Sequence, residues 1–416
     1  MSTFYAYTSP ASGHLFPMVP GFLALQDRGH TVHLRTAPKH VDAVRAAGLR
    51  DVVGVDPRIL GIPATDYEVS NPRERLTRGL EDLMKRGPYE MAQFRDDVAA
   101  LQPDVLLTDM NAYGAVVAAE ATGLPWASIQ PTLLAYPTDE VPPFGFGLKP
   151  IAGPVGRMRN RLMNRLMVSV YSKAMMPGIN RLRADAGLAP LPDAIEHVIR
   201  PDRLIVLTGE PLEYPRTGLP DMFRHVGPQI WEPEEDAPGW LLEDGDPWVL
   251  VTCSTEYQGD ETLARAAIEA LRDEPVRVVV TLADAHGADL PTAPNARVER
   301  FVPHGHVLDR AAAVVCHGGM GIVQKSVTAG VPLAVVPFGR DQPEVARRVS
   351  ECGAGVTLPS KKLTPERLRL AVREAIAKRP GAEAAGARLR ASGGPERFAD
   401  EAEELLGDRA ALSAAA

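Results

Sequence analysis

Two residues at the ends of apolar runs could move a proton between them. His14 stands in the loop after the run Thr3 to Thr8, and Asp109 directly follows the run Asp104 to Thr108. A histidine titrates near neutral pH, and a carboxylate on its second ring nitrogen would fix the tautomer and stabilise the imidazolium, the make-up of a general base. Residues of both types also cap helices, and on the sequence alone that reading stays open. A second group could hold an anion: His317, Gly318, Gly319, Met320 and Gly321 follow the run ending at Cys316 and open a helix that runs to about Ala329. Unpaired amides at a helix start attract phosphate, and glycine lets it come close. A tight turn is the alternative. Asp341 and Gln342 follow the next run and combine acceptor and donor groups able to grip several hydroxyls; capping a helix before Pro343 is the plainer role for the aspartate.

Such residues need strands to carry them, and the chain supplies short β-branched runs alternating with helical stretches, the pattern of parallel strands with crossover helices. The class is therefore α/β. Strands are expected at Thr3 to Thr8, Thr31 to Thr36, Asp104 to Thr108, Trp126 to Ile129 and Arg203 to Leu207. The pattern restarts at Trp248 to Thr252, Val276 to Thr281, Ala313 to Cys316, Leu333 to Val336 and Gly355 to Leu358, which predicts two sheets. Between them Glu213 to Trp240 is rich in proline, glycine and acid, a linker composition. The expected organisation is a domain over 1–212, a linker over 213–240, a second domain over 241–395, and a helix over 396–416 returning to the first domain. Ligands in such sheets bind beyond the carboxyl ends of the strands, where the candidate residues cluster.

The stretch Gly156 to Gly178 carries five methionines among four arginines and a lysine. It reads as a basic amphipathic helix, or two, flanking an apolar cleft, because methionine adapts to irregular shapes. Contact with anionic lipid is the lesser reading and is not expected.

Composition narrows the classes further. At 416 residues the chain exceeds what one core serves, and with 45% hydrophobic and 24% charged residues it is neither disordered nor membrane-spanning. Met1 to Pro10 lacks the features of a secretory signal, so a cytoplasmic protein is expected. Cys253, Cys316 and Cys352 have no metal-ligand spacing, which suits reduced thiols. A net charge of −8 repels a phosphate backbone, so no nucleic-acid polymer is expected as a partner. Oligomeric state cannot be read.

The segment FVPHGHVLDRAAAVVCHGGMGIVQKSVTAGVPLAVVPFGRDQ, Phe301 to Gln342, resembles the donor-binding signature of the UDP-glycosyltransferase superfamily in its bacterial antibiotic and macrolide branch. The opening strand with its SPASGH loop, Asp109 and the order of elements extend the resemblance over nearly the whole chain. It implies a GT-B fold, two Rossmann-like domains facing across a cleft, the acceptor mainly on the first and a nucleoside-diphosphate sugar on the second. By position, Phe301 would lie against the base with Val302 offering backbone contacts. His317 and the amides of Gly319 to Ile322 would hold the diphosphate, with Ser254 or Thr255 reaching it too, and Asp341 with Gln342 the sugar. His14 and Asp109 would form the catalytic dyad of an inverting transfer to a lipophilic small molecule. No metal or cofactor is implied, and no Asp-X-Asp pair stands where a metal bridge would need it.

Three positions depart from the family pattern. Ile322 replaces a common hydroxyl residue, Lys325 a glutamate for the ribose, and His304 a glutamine. Lysine cannot accept from ribose hydroxyls, which leaves UDP against dTDP open. A GT-B epimerase, a lipid-linked cell-wall transferase and a catalytically silent nucleotide-sugar binder are the rival readings.

Overall fold

The computed structural model describes residues 1–69, 71–254, 260–282 and 290–415. Within them the first half builds β1 (Thr3–Tyr7), β2 (Thr31–Thr36), β3 (Asp51–Gly54), β4 (Val105–Asp109), β5 (Trp126–Gln130), β6 (Arg203–Val206) and β7 (Phe223–His225). The second builds β8 (Trp248–Thr252), β9 (Arg277–Thr281), β10 (Ala296–Glu299), β11 (Ala311–Cys316), β12 (Leu333–Val335) and β13 (Gly355–Thr357). The described pairings are parallel, and they join the strands in the orders β3-β2-β1-β4-β5-β6-β7 and β10-β9-β8-β11-β12-β13.

The central strands are buried throughout because helices cover both faces: VLLTD in β4, WASIQ in β5 and WVLVT in β8 have no exposed residue. Three strands escape the sequence reading, β3, β7 and β10, and all three are edges. An edge strand is covered less fully and needs no continuous apolar run, which is why DVVG, FRH and ARVE carry little signal. β7 lies inside the stretch 213–240 expected as linker. Its proline- and acid-rich surroundings mask three residues that add in register to β6, Leu204 opposite Phe223.

On one face of the first sheet, Val19, Phe22 and Leu25 of the helix Val19–Asp27 pack with Phe398, Ala402 and Leu405 of the helix Pro395–Ala415. On the other, the helices Pro72–Leu101 and Gly153–Asp185 contribute Met91, Phe94, Met175 and Ile179. The stretch Gly156 to Gly178 thus belongs to one 33-residue helix whose far end joins the core, while Met158, Leu162 and Leu166 stay exposed. Among the described residues no helix is long and apolar enough to cross a membrane.

Candidate active site

Each sheet has one point where its strand order reverses, and a crevice opens there beyond the strand ends. In the first sheet that point is between β1 and β4. Asp109 is the last residue of β4, and the chain leaving β1 turns through Ser9 into the short helix Ser12–Leu15, which carries His14. His14 Nδ1 lies 2.8 Å from Asp109 Oδ1. The Ser9 amide donates to Asp109 Oδ2 at 2.9 Å and the Asn111 amide to Oδ1 at 3.0 Å. Burial by itself would raise the Asp109 carboxyl, yet the His14 charge and these donors hold it below the ordinary carboxylate range. A carboxylate so held fixes Nδ1 as the protonated nitrogen and leaves Nε2 as an acceptor. Asn111 Nδ2 stands 3.1 Å from that Nε2, at the distance a substrate hydroxyl would occupy.

In the second sheet the reversal falls between β8 and β11. Ser254 follows β8, and His317 follows β11. Gly318 turns the chain at φ +98°, open to glycine without strain, and Gly319 precedes the helix Met320–Thr328. A Cβ on Gly319 would stand 2.5 Å from His317 Nε2, so glycine there lets the ring lie over the turn. Asp260 holds the loop from the other side: its Oδ2 accepts from the Ser254 amide at 2.7 Å and lies 3.9 Å from His317 Nδ1. Burial lowers the His317 pKa, with Asp260 pulling the other way. A neutral, enclosed imidazole beside a helix start is ready to meet an anion. Met320 and Ile322 are largely buried. Thr255 lies outside the described residues.

Asp341 and Gln342 start the helix Gln342–Glu351 after β12. Asp341 Oδ2 accepts from Thr132 Oγ1 at 2.7 Å. Thr132 lies two residues beyond β5, the strand paired with β4 at Asp109–Ile129. One hydrogen bond therefore joins Asp341, at the carboxyl end of the second sheet, to the segment that follows β5, the strand next to the dyad's β4. Gln342 is spent differently: its Oε1 accepts from the Phe338 and Gly339 amides at 2.7 and 3.1 Å and braces its own loop. Phe301 is exposed and Val302 buried just past the carboxyl end of β10, ahead of the short helix His304–Leu308.

Sequence reasoning missed the residues that hold these groups. Ser9 and Asn111 hold Asp109 through backbone amides, which side-chain identity does not announce. Thr132 sat at a strand end like Asp109, the one signal that could have found it. Glu232 could not have been found: it accepts from Lys325 Nζ at 2.5 Å across 93 positions of sequence. Among the described residues no three histidine, cysteine or acidic side chains cluster as metal ligands.

Residues 265–403 match the erythromycin biosynthesis protein CIII-like C-terminal domain. The chain is 34% identical over 402 residues to 4′-demethylrebeccamycin synthase of Lentzea aerocolonigenes, covering 92% of this chain and 93% of the relative. Among solved structures, the glycotransferase of kitacinnamycin superposes with a TM-score of 0.74 at 26% identity, covering 97% and 99% of the two chains. The calicheamicin glycosyltransferase CalG4 superposes at 0.73 and 23% identity over 98% of each, a likeness of fold. The GT-B architecture is common to them.

Proposed function

The chain belongs to the macrolide and antibiotic branch of the glycosyltransferases, and from that premise we propose that it moves a hexose or deoxyhexose from a UDP- or dTDP-sugar to a hydroxyl of a lipophilic small molecule, with inversion and without a metal. The observation that carries this reading is the buried 2.8 Å contact of Asp109 with His14 Nδ1, which leaves Nε2 to act as base. In the step proposed, the acceptor hydroxyl replaces the Asn111 amide at Nε2 and gives up its proton there as its oxygen bonds to the anomeric carbon. The bond from that carbon to the diphosphate oxygen breaks on the opposite face, and the diphosphate leaves with the electron pair.

Negative charge then grows at the crevice of the second sheet. His317 and the amides at the start of Met320–Thr328 are fixed donors for it, and donors held in place beforehand stabilise a leaving group at no reorganisation cost. Asp341, turned toward the first sheet by Thr132, supports the reading that the sugar sits between the two crevices. The test is a panel of UDP- and dTDP-sugars of α configuration against hydroxylated polyketides, with products analysed by mass spectrometry and NMR in the presence of EDTA. A β-glycoside formed at undiminished rate is the expected product. Retention of configuration, or loss of activity restored by magnesium, would sink the mechanism.

A further inference from the structure

Glu232 draws together two of the positions at which the chain departs from its family's donor signature. Its Oε2 accepts from Lys325 Nζ at 2.5 Å and from the His304 amide at 3.1 Å, and its Oε1 from the Gly305 amide at 2.7 Å. Lys325 therefore turns inward, its side chain only 14% exposed beside a carboxylate that is 19% exposed. Gly305 permits the approach, since a Cβ there would stand 3.0 Å from Glu232 Oε1. Position 325 holds a cation, but the ion pair restores a carboxylate to the same spot, brought in from the segment after β7.

That spot has a definite place along a bound nucleotide. On the nucleotide-sugar reading, on which this inference rests, the base lies at Phe301 and Val302 and the diphosphate at the start of Met320–Thr328. His304 is two residues beyond Val302. Lys325 is five residues along the helix from Met320, about 7.5 Å at 1.5 Å per residue. The sugar ring of the nucleoside has to bridge base and phosphate, and the carboxylate touching both His304 and Lys325 lies along that bridge. A carboxylate offers roughly four lone-pair positions. Lys325, His304 and Gly305 take three, and one stays open on Oε1.

We propose that Glu232 is a nucleotide-binding residue that accepts a hydrogen bond from one ribose hydroxyl, and one only. A site with a single open acceptor reads one hydroxyl of a ribose and is indifferent to the other. Lys325 serves it by cancelling the buried charge.

The test is calorimetric binding of UDP, 2′-deoxy-UDP and 2′,3′-dideoxy-UDP to the full chain and to two variants, Glu232→Gln and the charge-free pair Glu232→Ala with Lys325→Met. In the unaltered protein one of the two deletions should weaken binding about tenfold and the other less than twofold. In the paired variant the three ligands should bind within twofold of one another, because the acceptor is gone. Glu232→Gln should keep a reduced step, since its carbonyl still accepts. Comparison within each variant cancels any general loosening of the site. A flat series in the unaltered protein, two equal steps, or a step that persists in the paired variant would overturn the proposal while leaving the nucleotide-sugar reading intact. Failure of UDP and of dTDP alike to bind the unaltered protein would overturn both.

Discussion

His14 and Asp109 could be picked out because each ends or follows a strand, and strand ends are where a parallel sheet puts its chemistry. What surrounds them could not, because Ser9 and Asn111 hold Asp109 by amides that every residue but proline possesses. Behind the dyad lies a second carboxyl that sequence gave no reason to notice. Glu90, on Pro72–Leu101, is enclosed between helices, and its Oε2 accepts from the Gly114 amide at 2.9 Å. Burial pushes its pKa up from 4.5 to about 8, Asp109 adding to the rise and Gly114 and Arg86 opposing it. A group whose pKa is higher folded than unfolded stabilises most below its unfolded value, and that contribution is lost as pH climbs through the folded one. The chain should therefore lose stability between about pH 5 and 8. At about 1.4 kcal/mol per unit the loss is on the order of 3–5 kcal/mol. Glu90→Gln removes the titration, so its melting temperature should change less over that range and exceed the parent's at pH 8. Parallel melting curves for the two proteins would contradict the assignment.

Elements were legible in proportion to their burial. The central strands announce themselves as apolar runs, whereas β3, β7 and β10 are edges with a polar side, and no local pattern tells FRH from a linker. The docking of the final helix depends on one small residue that has no sequence signal. A Cβ on Gly21 would lie 2.3 Å from Phe398 Cδ1, and the Phe398 ring, fully buried, meets Phe22 edge-on at 5.9 Å. Gly21→Ala should therefore destabilise by about 1–3 kcal/mol through overpacking, and Phe398→Ala by roughly 3–5 kcal/mol through the cavity left. The double variant should lose less than the sum, because removing the ring relieves the clash. Urea titrations of the four proteins measure this, and strict additivity would mean that the ring and Gly21 are not in contact.

Across the whole molecule the two halves share apolar packing, with Leu133 and Leu212 in the core of the second sheet, and a group of polar contacts near the loop after β12. None of these was visible in sequence, since the polar contacts join residues about two hundred positions apart or more. Arg340, at φ +54°, makes a two-pronged pair with Asp66 at 2.8 and 2.9 Å. Glu344 accepts from the Gly147 amide at 3.1 Å, and Arg347 donates to the Gly147 carbonyl at 2.9 Å. Asp66→Ala should free the loop that carries Asp341. The expected result is a donor KM raised about three- to thirtyfold with a small change in kcat, on the scale of a charge-assisted pair that is partly solvated. An unchanged donor KM would show that the pair does not order the loop. The central claim concerns the dyad, and single-turnover transfer by His14→Ala at saturating donor reads it most directly. The account predicts a rate lower by about 100- to 10,000-fold with the donor dissociation constant unchanged, the range a general base contributes. Transfer at the parent rate would contradict it.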